Sequence, residues 1–126
     1  MGESESLDVG QDRTRSVGGN ETVSVTKEQS ISIAKARSIE VGDSQSLSVA
    51  KDHEETVGGK HTIAVTKEYG LQAKKVLIDA KDEITIKVGK AKISMKKNGD
   101  ISISGGKINI KGSKDVVLKG SKVTAN

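Results

Sequence analysis

Apolar residues come in pairs at i and i+2, and the pairs repeat every eight positions through the first seventy residues. They read Leu7/Val9, Val17 alone, Val23/Val25, Ile31/Ile33, Ile39/Val41, Leu47/Val49, Val57 alone, Ile63/Val65 and Leu71/Ala73. A fixed period is read before any other feature because it sets the architecture. Side chains alternate across a strand, so i and i+2 share one face. Apolar residues at i, i+2, i+8 and i+10 line no single face of a helix. β-Branched residues fill the pairs, as strands prefer. The pattern predicts one short strand and one turn per octad, with two inward residues in eight.

Lettering the octad a to h, with a and c the apolar pair, gives every column a character. Column c is Val9, Val17, Val25, Ile33, Val41, Val49, Val57 and Val65, the expected core-forming residues. Column d is Gly10, Gly18, Thr26, Ala34, Gly42, Ala50, Gly58 and Thr66. It follows the strand, where the chain must bend, and Gly suits such a place because it tolerates unusual φ/ψ. Column g is long and polar, running Arg13, Glu21, Gln29, Arg37, Gln45, His53, His61, Tyr69, and column b holds Ser16, Ser24, Ser32 and Ser48 on the outward face. Columns e to h are expected to form the corner and the approach to the next strand. Hairpin stacking is disfavoured here, because the corners lack paired turn residues at fixed places.

A longer repeat overlies the octads. The segment Val17–Glu28 recurs with few changes as Val57–Glu68, an offset of forty, or five octads. Column a is polar only at Arg15 and Glu55, also forty apart. After Ala73 the register slips: pairs continue at Val76/Ile78, Ile84/Ile86, Ile93/Met95, Ile101/Ile103, Ile108/Ile110, Val116/Leu118 and Val123/Ala125, at spacings of 7 to 9. Asn98-Gly99 between two alternating runs is a hairpin signal. Two regions are expected: a regular octad β-helix over 1–73, and a continuing needle with irregular corners over 74–126.

Composition then decides how many chains are needed. Only 33% of the 126 residues are apolar, with no Phe, Trp or Pro and Tyr69 as the one aromatic. Ordinary domains hold roughly 45–50% apolar residues, Gly included, and draw much of their core from aromatics. One chain cannot bury enough surface to offset the entropy of ordering it. The choice lies between disorder and a pooled core, and strict register argues against disorder. No cysteine is present, so there is no disulfide framework or thiolate metal site. No stretch approaches the roughly 20 apolar residues of a membrane helix. No signal peptide precedes the octads. Met1-Gly2 reads as an added start, so the expectation is a C-terminal piece of something longer.

Three octads can close a triangle with one strand per side. Three chains wound together would stack strands from each chain in turn, each octad climbing by one strand spacing of roughly 4.8 Å. About fifteen strand units would then make a needle on the order of 70 Å long. Interior strands would be paired on both edges, leaving none free to aggregate. The expected fold is all-β: an intertwined homotrimeric triangular β-helix, or β-prism, built from octad repeats.

The dipeptides Val9-Gly10, Val17-Gly18, Val41-Gly42 and Val57-Gly58, the segments Asp12–Val23 and Tyr69–Ala80, and the tail Gly112–Val123 carry a family likeness. The chain resembles the C-terminal needle of VgrG (valine-glycine repeat) spike proteins of bacterial type VI secretion, and is similar to the central spike needles of contractile phages. The resemblance covers essentially the whole chain. It implies the same trimeric prism and a mechanical, non-enzymatic role in puncturing membranes and delivering effectors. It also implies hub and oligonucleotide-fold domains ahead of the needle, which would join it to the secretion tube protein. A PAAR-repeat tip protein or effector would seat at the end of the chain, on Val116, Val117, Leu118, Lys119, Lys122, Val123 and Asn126. Such a spike would assemble in the bacterial cytoplasm, without a signal peptide, and be ejected outside or into a target cell, meeting its membrane transiently.

The remaining chemistry is sparse. There is no nucleophile–base pair, phosphate-cradling loop or paired acid in a plausible cleft, so no catalytic residue and no cofactor are assigned. His53 and His61 share column g in adjacent octads, and with Glu55 they are the only candidates for a metal; the favoured reading is solvated corner residues. If column a faces an axis, Arg15 and Glu55 would gather in threes and need counter-ions, because buried unpaired charge is costly. The favoured reading is escape to solvent at a corner. Residues 1–73 carry net charge −4 and residues 74–126 net +8, the latter with 13 Lys. Without aromatic stacking residues or a recognition motif, that half is not read as a specific nucleic-acid binder. The other readings are a single-chain β-solenoid that binds a surface or ice through Ser/Thr columns b and h, and a phage tail baseplate spike.

Overall fold

In the computed structural model, which describes residues 3–126, the chain is all-β, with no helix among the described residues. Met1-Gly2, read above as an added start, lies outside the described residues. The chain divides into two compact units, the first reaching to Gly58 and the second spanning Gly59–Asn126.

The octads appear as a metronome of bends. The backbone turns at residues 10–11, 18–19, 26–27, 34–35, 42–43, 50–51, 58–59 and 66–67, and runs six residues without a bend between them. The turn therefore sits at columns d and e, where the sequence placed its start. The straight segment is longer than expected: columns f, g and h belong to it, ahead of a, b and c. The octad glycines also differ from the sequence expectation. None of Gly10, Gly18, Gly42 or Gly58 has a positive φ, so the bend uses backbone angles open to any residue. That is why Thr26, Ala34, Ala50 and Thr66 serve in the same column.

Among the described residues, hydrogen-bonded strands occur in one place, within the second unit. Strands β1 (Glu83–Val88), β2 (Ala91–Lys96) and β3 (Ile101–Ser104) form an antiparallel sheet in the order β1-β2-β3. Val88 faces Ala91 across the two-residue turn Gly89-Lys90. Gly89 has φ +52, the left-handed angle that a tight hairpin asks of its first central residue. The second turn is the one signalled by Asn98-Gly99. Gly99 has φ +94 and donates its N–H to the Lys96 carbonyl at 3.0 Å. The Asn98 side-chain oxygen accepts from the Asp100 N–H at 3.1 Å, an Asx turn that fixes the corner.

The register sorts this sheet into two faces. Ile84, Ile86, Val88, Ala91, Ile93, Met95, Ile101 and Ile103 align on one. Glu83, Thr85, Lys87, Lys92, Ser94, Lys96, Ser102 and Ser104 align on the other. Ser94, between Thr85 and Ser102 on the middle strand, is the one buried residue among those described, and no hydrophobic side chain is buried.

Candidate functional site

The candidate functional surface of this chain is its unpaired backbone. Apart from the β1–β3 ladder and its turns, no backbone–backbone hydrogen bond exists among the described residues, and none at all involves residues 3–80. Each octad thus presents a row of N–H and C=O groups on both edges of its straight segment. Ordered backbone polar groups are normally paired, with backbone, side chains or water. A repeating conformation held with no internal partner is a template for strands supplied from outside.

The apolar columns are graded in the same regular way. Column c side chains, Val9 through Val65, are 42–50% exposed, while the apolar members of column a, such as Leu7, Ile31, Leu47 and Leu71, are 60–72% exposed. Column c lies next to the bend, and column a lies two residues back and is more open. The total accessible surface is 14572 Å². A compact monomer of 13.2 kDa would keep roughly 6,400 Å², and its fully extended chain about 19,000 Å². The chain retains about three-quarters of the extended value, so most of its apolar surface is left for contact with something else.

The two polar members of column a are each engaged at the surface. Arg15 Nη2 reaches Glu21 Oε1 at 3.1 Å across the Gly18-Gly19 bend, linking column a to column g of the same octad, on the next straight segment. In the duplicate forty residues on, His61 stands where Glu21 stood. Glu55 turns instead to His53 on its own straight segment, with Nε2 to Oε1 at 3.8 Å. All four side chains are well exposed. Among the described residues, no group of three or more His, Asp or Glu side chains is placed to hold a metal within one chain.

The expected tip residues lie in the second unit. Val116, Val117, Leu118 and Val123 are all exposed. They follow a tight corner at Gly112, where an added Cβ would lie 3.1 Å from Val116 Cγ2 and 3.2 Å from the Asp115 carbonyl oxygen. Surface hollows beside Asp82, Glu83, Lys96 and Lys97 hold an exposed Lys97–Asp82 pair at 3.8 Å.

A model of the bacteriophage T4 gp5 C-terminal trimerisation domain matches residues 2–75, well over half of the chain. The chain belongs to that trimerisation-domain family. No curated protein matches it. The family segment takes in all the octads of columns a and c through Ala73, the same stretch whose backbone edges and apolar side chains are open. It stops before β1, so the three-stranded sheet and the tip residues lie outside it. The likeness to phage spike needles noted in the sequence is thus met by a family of that kind.

Proposed function

We propose that three copies of this chain wind together into a triangular β-prism, the rigid, non-catalytic needle of a contractile injection spike. The observation that carries this reading is the combination in residues 3–80 of strictly repeating bends with no backbone partner inside the chain. Three chains supply one another's missing edges, and columns a and c become the dry interior. The family's description as a trimerisation domain supports the stoichiometry.

The Val-Gly octads favour the type VI secretion form of this machine, a VgrG-like spike that carries a PAAR-repeat tip protein or effector on Val116–Asn126. Such a spike is assembled in the bacterial cytoplasm and driven out through a target membrane. The needle of a phage tail baseplate is the second reading, favoured by the T4 origin of the matching family. Both make the protein a mechanical part rather than an enzyme.

Sedimentation or light scattering, followed by an SDS gel run without boiling, tests the architecture. A species of three chains that resists SDS until heated is the expected result. A folded species of one chain would overturn the prism and return the single-chain solenoid to the lead.

A further inference from the structure

We infer that residues 83–104 form a second trimer interface, built on a different plan from the octads: each chain brings a ready-made three-stranded sheet, and the apolar faces of three copies pack together. This rests on the trimeric reading above but concerns a segment beyond the family match, which ends at residue 75.

The sheet forms inside one chain, with β2 bonded on both edges and only the outer edges of β1 and β3 left open. It has no need of the strand exchange that the octads require. Its side chains are the opposite case. The register puts eight apolar residues on one face without a polar interruption, and Glu83, Lys87, Lys92 and Lys96 on the other. A sheet with one apolar face needs a cover, and this chain leaves most of that face open: Ile84 is half-buried, while Ile86, Val88, Ile93, Met95, Ile101 and Ile103 are all exposed.

The occupant is a further copy of the same chain. The sheet is joined in one polypeptide to a trimerisation domain, so two more identical faces are present whenever the octads assemble. The charged reverse face directs the sheet one way, toward its own copies and away from water. The free edge of β1 in one copy can meet the free edge of β3 in the next, so three sheets close a ring with no edge left open. The middle strand then faces the centre, with Ile93 and Met95, the least exposed of those six side chains, at the three-fold.

The chain has no cysteine, so single thiols report on this arrangement. The full-length variants Ile93→Cys on the apolar face, Lys92→Cys on the charged face and Val41→Cys in column c are oxidised with copper phenanthroline at low protein concentration. They are then run on a denaturing, non-reducing gel. Disulfides need Cα atoms about 4.4–6.8 Å apart. Ile93→Cys should give a covalent two-chain band, leaving the third chain of each trimer unjoined, and Lys92→Cys should react at least about tenfold more slowly. Met95→Cys repeats the test should Ile93→Cys fail to fold. If Val41→Cys cross-links but neither apolar-face variant outpaces Lys92→Cys, the octads trimerise and this face is covered by something else, which overturns the inference alone. If Val41→Cys also fails and the mass is that of one chain, the trimeric reading falls with it. A mass of two chains, with Ile93→Cys cross-linked, would replace the three-fold by a face-to-face pair and also overturn the inference.

Discussion

Val41→Ala separates a shared core from a private one by magnitude alone. Val41 is 46% exposed in the single chain and lies in column c, one residue before the Gly42 bend. The substitution deletes two methyl groups, worth about 0.8 kcal/mol each when fully buried. In a prism all three copies of the side chain are buried at one level, so the loss is about 5 kcal/mol per trimer before any cavity is counted. In a single-chain solenoid the residue stays half exposed, and the same change costs under about 1 kcal/mol. Guanidinium unfolding across a concentration series reads both the size and the stoichiometry. Each tenfold rise in chain concentration should stabilise a trimer by about 2.8 kcal/mol, because two chains are lost to solution for every species formed. A midpoint that does not move with concentration, together with a loss near 1 kcal/mol, would refute the shared core.

Further predictions concern corners and charges. Gly99→Ala, at φ +94, should cost about 1–2 kcal/mol and speed amide exchange at Met95 and Lys96; unchanged exchange would show that the turn does not depend on glycine. Gly42→Ala should be neutral, or stabilising by up to about 1 kcal/mol, since its φ is not positive, nothing lies within 4 Å of the added Cβ, and Ala34 and Ala50 hold the same column; a marked fall in melting temperature would show a neighbouring chain packed against that bend. Glu55→Ile should leave thermal stability equal or higher, because the pair with His53 is exposed and such pairs are worth about 0–1 kcal/mol. A clear loss would mean that Glu55 binds an ion in the assembly.

The octad bends were legible because column d is so uniformly small, and the β2–β3 turn because Asn98-Gly99 is a strong local signal. The β1–β2 turn carries a weaker local signal. Gly89-Lys90 lacks the Asn or Asp that draws attention, yet the spacing of nine between Ile84 and Ile93 marks where the octad rhythm gives way to a hairpin. The octad glycines need no special backbone: Thr26 and Thr66 share column d, and their β-branched side chains already exclude a left-handed backbone there. The Arg15–Glu21 pair was hidden for a different reason. Its partners sit on different straight segments, and their distance depends on how far the Gly18-Gly19 bend returns the chain, which no spacing rule encodes.

The open edges of residues 3–80 also bear on the life of a chain before it finds its companions. Unpaired strand edges invite pairing with whatever strand comes first. Here they are flanked by Lys35, Arg37, Asp43, Lys51, Asp52 and their like, in a chain 30% charged and with Tyr69 as its sole aromatic. The sparse hydrophobic content that leaves one copy without a core of its own also gives a lone copy little apolar surface to clump by, so that in the proposed needle recognition falls to the eight-residue rhythm, which another copy matches along its whole length.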